Sequence, residues 1–205
     1  MAIFTRVGYG QVEANQLSAQ KTGQIYASLP LAAEVKVLQN GEFMYYDYAS
    51  GKVCAEGKGE PMLVFNEIKL YEEPYRTSYK DFAMIRVGDN YVTSKMATAA
   101  YGDGATNLSA VVKPHTEYPY RMDGIAPRLF KTNVGDIMTT NMVKVGVEYE
   151  VGNILVPVKN NESKTLVLEP NSDPASVPEK GMAWVVAKVY TMPDGQPGLK
   201  IQRIQ

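Results

Sequence analysis

The sequence holds one cysteine, Cys54, and one histidine, His115. One of each excludes a disulfide framework and a Cys/His zinc site within a single chain. Net charge is nearly absent, since 21 basic residues stand against 22 acidic ones. So close a balance leaves no electrostatic footprint for wholesale binding to nucleic acid or an anionic membrane. No run approaches the roughly 18 apolar residues of a membrane helix. The start, Met1-Ala2-Ile3-Phe4-Thr5-Arg6, lacks the basic region and long apolar run of a secretory signal. These absences lead us to expect synthesis in a reducing cytosol, with Cys54 a half-buried small residue in a β-like run.

Catalytic patterns are equally sparse. Any Ser-His-Asp or Cys-His site would have to use His115, which lies in Lys113-Pro114-His115-Thr116 with no Gly-x-Ser-x-Gly elbow in the chain. Gly102-Asp103-Gly104 does not continue into the Gly-Lys-Ser/Thr of a phosphate loop, and Asp103 with Asn107 falls short of a calcium loop. Glu67, Glu72 and Glu73 border the Tyr-rich stretch 71–79. A glycosidase needs two carboxyls facing each other across a cleft, which sequence alone cannot place. We expect no enzyme, no cofactor and no metal.

What the chain has in excess is tyrosine: 14 Tyr against 5 Phe and 1 Trp. Tyr suits surfaces that are half apolar and half wet. Trp184, within the apolar run 181–187, reads as core. The polypeptide divides into four stretches. Residues 1–33 form a low-charge arm rich in Gln, Ala, Gly and Ser, with either a short helix near 13–21 or extended backbone. It must lie on its own body or on a neighbouring subunit. Residues 34–96 are β-rich, with an Asn40-Gly41 hairpin signal and a second turn at Ala49-Ser50-Gly51. Residues 97–131 form a long irregular loop, and 132–205 are β-rich again. The sum is an all-β fold, a β-barrel or β-sandwich body with an extended N-terminal arm and a long central loop. Val87-Gly88-Asp89 and Val134-Gly135-Asp136 echo each other as tight turns into strands.

The arm, the Tyr- and Asn-rich strands, the long loop and the run Val134-Gly135-Asp136-Ile137-Met138-Thr139-Thr140-Asn141-Met142 together resemble the small virion structural proteins of tailed bacteriophages, which decorate or cement the capsid or build the tail. The resemblance implies a non-enzymatic virion protein, assembled in the host cytoplasm, that binds the major capsid protein or other virion proteins. It would act as a homo-oligomer or lattice-bound multimer, with no nucleic-acid or membrane partner. A tail-tube or baseplate role and a carbohydrate-binding β-domain are the alternatives. The contact residues it points to are Phe4, Tyr9, Leu17, Ile25 and Tyr26 on the arm, and Tyr101, Tyr118 and Tyr120 on the loop. An arm of this kind also predicts a body that folds without it.

Overall fold

A computed structural model describes residues 3–6, 10–35, 37–66, 126–192 and 195–205, with the backbone of three short strands inside 69–86. The chain is all-β, as the turn-bounded β-prone runs predict. Its elements are β1 (Val12–Gln16), α1 (Ser18–Thr22), β2 (Ile25–Tyr26), β3 (Val37–Gln39), β4 (Phe43–Asp47), β5 (Lys52–Cys54), β6 (Met62–Val64), β7 (Lys69–Glu72), β8 (Ser78–Asp81), β9 (Met84–Arg86), β10 (Leu129–Phe130), β11 (Ile137–Thr140), β12 (Ile154–Asn160), β13 (Thr165–Pro170), β14 (Trp184–Thr191) and β15 (Pro197–Arg203).

The main sheet runs β1-β11-β15-β14-β12-β13-β4-β6-β10-β2, with β5 paired to β4. Its ladders are antiparallel. β11 and β10 stand seven places apart in that order. A flat sheet would separate them by roughly 34 Å at about 4.8 Å per strand. The link 131–136 that joins them reaches at most roughly 25 Å when fully stretched. The sheet therefore has to curl, and it forms a half-barrel. The segment β1–α1–β2 spans the same two ends, because β1 pairs with β11 and β2 with β10.

The residues at this seam are polar, with Thr132, Asp136 and Arg203 buried and Ser18, Gln24 and Asn133 half-buried. Asp136 accepts from the Ser18 amide and hydroxyl, both at 3.0 Å, and from the Asn133 amide at 2.9 Å. The Asn133 side chain donates to the Ser18 hydroxyl at 2.6 Å. The Lys131 amide donates to the Gln24 carbonyl at 3.1 Å. Gly135 makes the turn at φ +96°, so the Val-Gly-Asp turn into a strand occurs as expected at 134–136. Its partner at 87–89 lies outside the described residues. Arg203, buried at the end of β15, donates to the Thr132 carbonyl and hydroxyl and forms an ion pair with Glu60. One guanidinium thus holds both the link 131–136 and the loop that precedes β6.

Two cores lie on the two faces of the sheet. The larger gathers Phe43, Phe130, Leu155, Leu168, Trp184, Val186, Leu199 and Ile201. Trp184 is fully buried, 6.0 Å from Phe43. The smaller packs Leu31, Val35 and Leu38 against Met44, Tyr46, Val53, Val64 and Leu129. Period-two alternation explains the split. Phe43 and Tyr45 face the first core and Met44 and Tyr46 the second, and Leu63 and Val64 divide in the same way.

The N-terminal segment belongs to this body. Phe4 packs edge-on against Tyr149 at 5.5 Å, and its backbone is clasped between Val147 and Gly146. Leu17 and Ala19 are buried in the main core. Burying a Phe and a Leu stabilises the fold by about 1.5–3 kcal/mol each. Phe4, Leu17 and Ala19 are thus part of the core, and the segment lies on its own body. Both candidate conformations occur there, a strand at 12–16 and a short helix at 18–22.

Asn40-Gly41 turns the chain, with Gly41 at φ +94°, but it does not close a hairpin. β3 pairs with β9, while β4 pairs with β13, β6 and β5. The Asn40 side chain is spent on a reciprocal pair with the Asn66 backbone, at 3.0 and 2.8 Å. The real hairpin is β4–β5, across Ala49-Ser50-Gly51. Cys54 sits half-buried on β5, and burial pushes its thiol up.

Glu42 follows the Asn-Gly turn and is buried beside β13. It accepts from the Gln39 amide at 2.7 Å and the Thr165 hydroxyl at 2.8 Å, with the Arg6 guanidinium nearby. Burial outweighs these partners and pushes its carboxyl up to about 7. Two predictions follow from the seam and this carboxyl. Asp136→Ala should lower stability by about 3 kcal/mol, and amides of residues 12–26 should exchange faster by hydrogen–deuterium mass spectrometry. Glu42 stays protonated in the folded state while it ionises in the unfolded one, so stability should fall between pH 4.5 and 7, by up to about 3 kcal/mol. Urea titrations at pH 4.5 and 8 should show Glu42→Gln removing that fall.

Candidate functional site

A concave surface lies where β2, β4, β6 and the loop 56–60 meet. It is a cleft of about 790 Å³ whose walls include Tyr26, Tyr46, Tyr48, Lys58, Glu60 and Lys131. The strand period puts Tyr46 and Tyr48 on one side of β4, and β4 ends at Asp47, so Tyr48 projects beyond the sheet. Tyr48 is 73% exposed. Its ring is stacked on Tyr46 at 5.9 Å and 17°, and Tyr46 meets Tyr26 edge-on at 5.5 Å. The Tyr46 hydroxyl accepts from the Ser28 amide at 3.4 Å, and burial pushes the phenol up. Three tyrosines thus descend from solvent into the smaller core.

Gly57 sets the opposite wall. A Cβ there would lie 2.5 Å from the Tyr45 Cβ, so only glycine lets the loop lie against β4. Each carboxylate around the cleft already has partners. Asp47 accepts from the Ala49 and Ser50 amides at 3.1 and 3.2 Å, and its Ser50 and Ala49 bonds hold it below the usual carboxylate range. Glu56 is ion-paired with Lys159, which lowers it likewise, and Glu60 with Arg203. Lys58 and Lys131 form no ion pair among the described residues.

Of the residues named from sequence, Tyr26 lines this cleft. Ile25, next to it, is half-buried and packs against the main core. Phe4 and Leu17 are buried in that core, so neither is a surface anchor in the folded chain. Tyr9, Tyr101, Tyr118 and Tyr120 lie outside the described residues, as do His115, Glu67 and Glu73. Tyr46 and Tyr48 are the site residues that the sequence reading missed. Their signal was present: two tyrosines at i and i+2 running directly into a turn put two rings on one side of a strand end. Among the described residues, no group of three His, Cys, Asp or Glu side chains is placed to hold a metal ion. No family model, curated protein or solved structure matches the chain.

The cleft can bind by stacking and by charge. Its shape rests on Gly57, so Gly57→Ala should lower stability by about 1–3 kcal/mol through overpacking against Tyr45. Thermal unfolding measures the loss, and the Tyr48 ring signals in an aromatic NMR spectrum should shift as the loop moves.

Proposed function

We propose that this protein is a non-enzymatic structural component of a tailed-phage virion that binds and stabilises the capsid as a decoration or cement protein. The observation that carries this reading is the clasp of the N-terminal segment. The Phe4 amide donates to the Val147 carbonyl at 2.9 Å, and the Gly146 amide to the Phe4 carbonyl at 3.0 Å. Either side of this clasp, Ile3 and Val145 are 60% and 48% exposed. A segment anchored by one apolar residue and presenting its neighbours outward suits lattice contact. The fixed backbone loses little entropy when it docks, and the exposed side chains supply apolar area.

Binding only to assembled shells would stabilise them by mass action, and many copies on a symmetric lattice would hold through multivalency. The near-zero net charge fits a surface that lies against protein. The long central stretch of the sequence adds to the resemblance on which this reading draws.

The test is co-expression with the major capsid protein of the same genome, followed by gradient sedimentation of the shells. The protein should travel with the shells and raise the temperature at which they come apart. Because Phe4, Leu17 and Ala19 are part of the core, point variants are the right probe. Ile3→Asp with Val145→Asp should weaken shell binding at least about tenfold, since two apolar side chains of roughly 1.5–3 kcal/mol each lose their contact, with melting unchanged. Shells free of the protein overturn the reading, and so does assembly of the isolated protein into tubes.

A further inference from the structure

We propose that the Tyr26–Tyr46–Tyr48 cleft is a saccharide subsite that selects an acidic sugar. This is a second activity, carried by a different face from the Phe4 clasp, and it does not rest on the capsid reading.

The ring geometry decides what kind of guest fits. A ring held between two others needs about 7 Å, twice a contact of about 3.5 Å. Tyr46 and Tyr48 are 5.9 Å apart and nearly parallel, so nothing enters between them. That leaves no slot for a guest ring between Tyr46 and Tyr48. What remains is one-sided stacking on the outer face of Tyr48, the exposed member of the pair. A pyranose suits such a platform. Its flat C–H face is apolar and lies on the ring, while its hydroxyls stay at the rim, within reach of polar groups.

Charge then decides which sugar. Asp47 is held by the amides of its own turn, Glu56 by Lys159 and Glu60 by Arg203. Glu56 and Glu60 are thereby neutralised, while Asp47 keeps its charge against those of Lys58 and Lys131, so the cleft is left with a positive excess. The two ammonium groups, Lys58 and Lys131, are exposed and form no ion pair among the described residues, although Asp47 does feel the charge of Lys58. An ammonium beside a stacking platform is answered by a carboxylate or sulfate carried on the sugar.

The intact protein can be tested on a panel of oligogalacturonate, oligoalginate, sialyllactose and heparin-derived oligosaccharides, beside neutral cello- and chito-oligosaccharides, at low and high salt. Acidic probes should bind and neutral ones should not, and binding should weaken as salt screens the lysines. Tyr48→Ala should reduce affinity roughly fivefold to tenfold with melting unchanged, because the side chain is largely exposed. Lys58→Gln combined with Lys131→Gln should weaken binding and flatten its salt dependence. The Ile3→Asp, Val145→Asp protein should bind the panel normally, so that failure of the capsid reading and of this one are separable. A panel silent throughout, affinity indifferent to Tyr48→Ala, or equal binding of neutral and acidic probes would each overturn the proposal.

Discussion

Two short connections join the same two ends of the main sheet, and neither is long enough to cross it flat. The link 131–136 runs from β10 to β11, and α1 runs from β1 to β2. The curl of the sheet follows from that tether, and the seam it creates needs polar groups that satisfy one another away from water. Asp136 does this for three donors at once. Arg203 joins the same link to the loop 56–60. The cleft wall is therefore fixed by the same contacts that close the fold, and the tyrosine face is held on a rigid frame.

β4 is the element through which core and surface communicate. Its alternation serves both cores, and the strand stops where the third tyrosine of the series begins. Tyr46 belongs to the smaller core and Tyr26 packs against it, while Tyr48 stacks on Tyr46. A ring stacked on a neighbour but open on its other side is pre-oriented for a partner, because part of the ordering entropy is already lost in the free protein. Glu42, just before the same strand, is buried, and that burial outweighs the hydrogen bonds from Gln39 and Thr165 and raises its carboxyl.

Much of the architecture was legible in the residues. The β-rich reading of 132–205 covers β12, β13, β14 and β15, and Trp184 read as core because its neighbours in the chain are apolar. The turn at 134–136 was legible because Gly and Asp have specific backbone uses. The Asn40-Gly41 turn was legible too, but its strand partners were not. Turn chemistry is local, whereas β3 finds β9 and β4 finds β13 across long stretches of chain.

The sequence by itself determined an all-β chain of short strands, little net charge and a surplus of tyrosine, because period and composition are properties of neighbours along the polypeptide. Only the tertiary structure decided that Phe4 and Leu17 are core, that Tyr26 meets Tyr46 and Tyr46 meets Tyr48, and that Lys58 and Lys131 are left without ion pairs among the described residues while Glu56 and Glu60 are paired. Those outcomes depend on which strand lies beside which, and that order was set by sheet closure, a constraint linking residues more than 100 positions apart.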